Sequence, residues 1–125
     1  MANELKMNFS GTLDHGTGGL KDTIAYETVQ VTPATQGLFS QVVSITTSDA
    51  AIAISGVGSY GYLYVKNLDP TNYFDIGPES AGAMVAFARI KPGRVGVIPI
   101  KPGITLRGQA NGGTCKAAIK IYESD

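Results

Sequence analysis

Leu5, Met7 and Phe9 alternate with Lys6, Asn8 and Ser10 at the start of the chain. That is the two-residue period of a strand with one buried face. Residues 11–22 break the period, because Gly11, Gly16, Gly18 and Gly19 turn the segment into a glycine-rich excursion. Apolar runs then return at 24–31, 38–47, 51–54, 60–67, 73–76, 84–90, 95–100, 105–110 and 115–122. Gly, Pro, Asn or Asp closes them at intervals of about eight to twelve residues, as in a chain of short strands. No window carries a helical period, and β-branched residues are common at the apolar positions. The pattern predicts an all-β chain: a single jelly-roll-like antiparallel β-sandwich of about eight principal strands. The expected division is an N-terminal strand and flexible arm over residues 1–22 and a sandwich domain over residues 23–125.

Several runs are apolar on both faces. Tyr60, Tyr62 and Tyr64 oppose Leu63 and Val65, and Met84, Ala86, Ala88 and Ile90 oppose Val85 and Phe87. A two-layer sandwich buries one face of each sheet. The second face therefore needs a cover, which the sequence leaves open among the arm, a long loop and a neighbouring subunit. Aromatics favour interfaces, so Tyr60, Tyr62 and Tyr64 are candidate contact residues in a homo-oligomer.

Two copies of one tetrapeptide, Ile90-Lys91-Pro92-Gly93 and Ile100-Lys101-Pro102-Gly103, enclose the strand at 95–100. A Pro-Gly pair suits the centre of a tight turn, and the spacing predicts an antiparallel meander. The same region concentrates charge. Residues 80–122 hold seven bases and no carboxylate, whereas residues 1–79 hold three bases and eight acids. The formal net charge of the whole chain is zero. Arg89, Lys91, Arg94 and Lys101 are therefore candidate binding residues for an acidic protein surface or an acidic glycan. Nucleic acid is the weakest of the partners considered, since only Phe87 and Tyr122 lie among these bases to stack on nucleobases. Lys and Arg on edge strands and turns also serve simply to block unwanted pairing.

Little else offers chemistry. At 125 residues the chain makes one domain, which buries roughly two-thirds of its unfolded surface. The single cysteine, Cys115, alternates with Ala117, Ile119 and Ile121 and reads as a small core residue. The first fifteen residues mix Glu4, Lys6 and Asp14 with no apolar run, which predicts a chain made in the cytoplasm without a secretory leader. No run reaches the roughly eighteen apolar residues of a helical membrane span, so no membrane partner is expected. Gly56-Val-Gly58-Ser-Tyr-Gly61 spells a dinucleotide fingerprint, but strand-like Tyr62-Leu-Tyr-Val-Lys66 follows where a helix is needed. The only histidine, His15, sits between Asp14 and Gly16 in an expected loop. Asp69, Asn72 and Asp75 offer oxygens but lack the spacing of a calcium loop, and such residues also favour turns. The expectation is no catalytic set, no metal and no cofactor.

Residues 60–123 carry a further pattern. It runs through Leu63-Tyr-Val-Lys-Asn-Leu-Asp69, Thr71-Asn-Tyr73, Ile76-Gly77, Phe87-Ala-Arg-Ile-Lys-Pro-Gly93, Pro99-Ile100, Leu106-Arg-Gly-Gln-Ala110 and Ile119-Lys-Ile-Tyr-Glu123. This half of the chain resembles small virion proteins of tailed bacteriophages. The resemblance implies a non-enzymatic capsid decoration (cement) protein on the head surface. Its implied partner is the phage major capsid protein, and the implied assembly is a trimer or dimer. The alternative is a receptor- or glycan-binding module of a phage tail or fibre, with Tyr73, Asn72 and Asp75 as a sugar platform.

Overall fold

The computed structural model describes residues 5–14, 16–31 and 37–123. These residues contain eleven strands and no helix: β1 (Leu5–Asp14), β2 (Lys21–Val31), β3 (Leu38–Ile45), β4 (Ala50–Ala51), β5 (Tyr60–Asn67), β6 (Phe74–Ser80), β7 (Ala83–Met84), β8 (Ala88–Ile90), β9 (Val95–Pro99), β10 (Leu106–Ala110) and β11 (Cys115–Glu123). One sheet has the order β3-β11-β5-β9, and a second has β4-β10-β6 with β7 and β8 both beside β6. All the pairings are antiparallel.

β7 and β8 are successive pieces of one edge strand. Met84 faces Glu79 and Ala88 faces Ile76, so three residues on one strand oppose two on the other. The extra residue makes a bulge over Val85–Phe87. Counting β7 and β8 as one strand, the eight sandwich strands order as 1-8-3-6 against 2-7-4-5, the arrangement of a jelly roll. The sequence pattern and the structure agree on an all-β sandwich.

The interior follows from the two-residue period. Leu63 and Val65 of β5 and Cys115, Ala117, Ile119 and Ile121 of β11 face Phe74 and Ile76 of β6, Ile90 of β8, and Leu106 and Ala110 of β10. Cys115 is completely buried, in keeping with its place in the alternation. Its thiol lies beside the carbonyls of Asn72, Tyr73 and Gly113. Burial, and after it the charge of Asp69, pushes the thiol above its ordinary pKa, so the reactive thiolate is disfavoured.

Three elements differ from the sequence reading. The meander expected around the two Lys-Pro-Gly turns is absent, because β8 and β10 both pair with β6 whereas β9 pairs with β5. Each turn instead carries the chain from one sheet to the other. The first has Pro92 before Gly93 at φ 72° and an Arg94 N–H to Lys91 C=O bond of 3.0 Å, the geometry of a type II turn. Next, the run 84–90 is broken by the bulge rather than continuous. Val85 and Phe87 still donate to the carbonyls of Pro78 and Ile76, and their backbone passes so close to Gly77 that a side chain there would overlap the Val85 carbonyl. Finally, strand structure continues through Asp14 and resumes at Lys21, within the glycine-rich segment. β1 and β2 form a long hairpin with its own two-stranded sheet. Cross-strand bonds extend the strands where side-chain periodicity had already stopped.

Asn67 is the one fully buried polar side chain among the described residues. Its amide nitrogen donates to the carbonyls of Asn72 (2.9 Å) and Ile90 (2.8 Å), and its oxygen accepts from the Asp69 N–H at 2.8 Å. Its backbone binds the first Lys-Pro-Gly turn through Arg94 C=O and Gly93 N–H. Asn67→Leu leaves two carbonyls and one N–H without their partner in a dry site. The expected loss is about 2–4 kcal/mol of unfolding free energy in urea titration. Gly77→Ala is expected to cost about 1–3 kcal/mol by overpacking the bulge, measured the same way.

Candidate interaction surface

The outward face of the four-stranded sheet is built by register. Leu38, Tyr122, Tyr62 and Pro99 lie in one cross-strand row, Ser40, Lys120, Tyr64 and Val97 in the next, and Val42, Ala118, Lys66 and Val95 in a third. Tyr62 and Tyr64 thus share a face, as the alternation requires. Tyr60 lies where β11 slips register between Tyr122 and Glu123, and it packs against the core instead. Half-buried Leu5, Met7 and Phe9 of β1 line a cleft of about 230 Å³ together with Tyr64, Val97 and Tyr122. The N-terminal strand therefore supplies part of the cover that this face needed.

Beyond Phe9 the hairpin changes character. The register shifts between Phe9 and Gly11, the half-buried alternation ends at Gly11, and Leu13, Leu20, Ile24 and Tyr26 are 47%, 68%, 61% and 68% exposed. These apolar side chains stand on a projecting ribbon in water. The tip is closed by a Gly16 N–H to Asp14 carboxylate bond and a Gly19 N–H to Gly16 C=O bond. Gly16 and Gly18 have φ of 87° and 78°, a region costly for other residues. His15 lies outside the described residues.

The basic residues do not converge. Arg89 sits opposite Asp75 and binds its carboxylate with two nitrogens, at 2.9 and 3.2 Å. Arg107 bonds Asp49 at 2.7 Å and Glu79 at 2.6 Å. Two of the seven bases are thus neutralised by acids from the first part of the same chain. Lys116 donates to the Ser44 hydroxyl, and Lys120 lies over the Tyr64 ring. Lys91, Arg94 and Lys101 form no ion pair among the described residues. They occupy the turns at opposite ends of β9, separated by its five residues, or about 17 Å of strand.

The proposed sugar platform is internally occupied. The Arg89 guanidinium lies 4.1 Å from the centre of the Tyr73 ring while gripping Asp75. Asp69 accepts from the N–H groups of Thr71 and Asn72, which hold its carboxyl below the usual range. It shapes the turn that the Asp/Asn spacing equally allowed. The glycines of the fingerprint sequence lead directly into β5.

A different feature went unread in the sequence. Between β9 and the β8 edge the two sheets part, leaving an apolar cleft of about 280 Å³. Ile98, Phe87, Ile100, Ile104, Val65 and Leu106 are among its lining residues. Phe87 is 73% exposed at its rim. The only hint was an apolar residue at nearly every position of 84–90 and 95–100.

Comparison with known protein families, with characterised proteins and with solved structures finds no match.

Asp49 accepts the Met84 N–H as well as Arg107, and these contacts lower its pKa below the ordinary 3.8. Asp69 is lowered in the same direction. Well above pH 3.8 both carboxylates are ionised folded and unfolded, and their contribution is complete. As pH falls below that, the unfolded chain takes protons first and the contribution is lost through the folded pKa values. The expected result is a melting temperature that declines on acidification, less steeply in Asp49→Asn than in the parent when each is normalised to its own neutral value.

Proposed function

We propose that this chain is a non-enzymatic virion structural protein, a decoration (cement) protein of a tailed-phage head that binds the major capsid protein across subunit junctions. The observation that carries the reading is the projecting β1–β2 hairpin, which holds Leu13, Leu20, Ile24 and Tyr26 away from the domain's own core. A solvated ribbon of that kind favours contact with another protein surface. The jelly roll provides a rigid base for it, and the turn pattern of residues 60–123 resembles that of phage virion proteins. Apolar area buried at each junction contributes about 25 cal/mol per Å² gross. Linking several capsomers by one bound chain makes the later contacts intramolecular.

The test is copy number and reconstitution. Antibody against the chain should label phage heads densely, and heads assembled without it should release DNA at lower temperature. Adding the purified protein should restore resistance. Absence from purified particles, or a few copies confined to the tail, would overturn the assignment.

A further inference from the structure

We infer that the apolar cleft between β9 and the β8 edge receives the β1–β2 hairpin of a second copy of this chain. The cleft is open at the side of the sandwich, is lined almost wholly by aliphatic and aromatic groups, and takes no hairpin residue from its own chain. The hairpin carries the opposite deficiency. Leu20, Ile24 and Tyr26 are each more than 60% exposed, and none of them lines this cleft or the one beneath β1. One surface lacks a filling and the other lacks a cover, so joining them removes two exposed apolar areas in one contact.

Charge makes the same match. Residues 13–27 carry Asp14, Asp22 and Glu27 against the single base Lys21, which lies 3.9 Å from Asp14. Lys91 and Arg94 lie just before β9, which forms one wall of the cleft, and Lys101 lies just after it. Five bases of the acid-free stretch form no ion pair among the described residues, and these three also lack the hydroxyl or ring contact that Lys116 and Lys120 make. A net-negative ribbon approaching a wall whose flanking turns are basic gains steering and orientation from complementary potentials. Donor and acceptor are distinct patches, so the contact closes as a reciprocal pair or as a small ring. The inference does not rest on the virion reading, because it concerns the purified chain alone and either can fail without the other.

Sedimentation equilibrium of the purified protein tests it with two charge insertions at exposed positions, Ile24→Asp on the hairpin and Phe87→Asp on the cleft rim. Circular dichroism and thermal melting confirm that each variant keeps its fold. The parent is expected to associate reversibly, and each variant alone to associate about tenfold to a hundredfold more weakly. An equimolar mixture of the two should recover part of the association, since it pairs an intact hairpin with an intact cleft. A parent that stays monomeric at the highest concentration measured would overturn the inference and leave the cleft for another occupant. Variants that associate like the parent, or a mixture without recovery, would equally overturn it.

Discussion

The buried amide of Asn67 ties the two layers of this sandwich together. The residue ends β5 in one sheet, yet its side chain holds the carbonyl of Ile90 in the other and the loop that leads into β6. A dry amide with all these partners is rigid, because any shift of one sheet past the other strands a polar group. The backbone of the same residue fixes the Lys91–Arg94 turn. It thereby sets where β9 begins, and β9 forms one wall of the side cleft. Placement of the candidate interaction surface thus depends on a contact buried at one end of the fold.

Charge is distributed by the same architecture. In sequence the bases and the acids are segregated, which invites the picture of one positive patch. The jelly roll brings distant segments side by side, and Arg89 and Arg107 meet Asp75, Asp49 and Glu79 across strands. The Arg89 pair is half-exposed, and such surface pairs contribute little stability each. Their larger effect is to cancel local fields, which leaves Lys91, Arg94 and Lys101 at the turns flanking β9, and Lys116 and Lys120 on β11, without an acidic partner among the described residues. Those turns are also two of the crossings between sheets, and their Pro-Gly pairs permit the sharp change of direction.

The hairpin gives the domain a third layer over part of one sheet. Its first half covers Tyr64 and Tyr122 with Leu5, Met7 and Phe9. In its second half Leu13, Leu20, Ile24 and Tyr26 remain exposed. An edge ribbon that carries apolar side chains into water is a liability for a solitary molecule. A contact with a second chain removes that liability, and both the virion reading and the self-association inference draw on it.

The two-residue alternation was enough to determine that the chain is all-β, where most of its strands lie and that Cys115 is buried, because a strand has only two faces and the core accepts one of them. Turn chemistry likewise marked Pro92-Gly93 and Pro102-Gly103 as reversals. The tertiary structure alone decided which strands pair. Alternation is identical whether a neighbour is next in the chain or fifty residues away, so the sheet crossings looked like a meander. It also decided that Asn67 is a buried clamp between the sheets, that Tyr60 turns inward at a register slip, and that the bases separate. Each depends on groups far apart in sequence, and their separation in space is set by the pairing of strands rather than by any local preference of the residues.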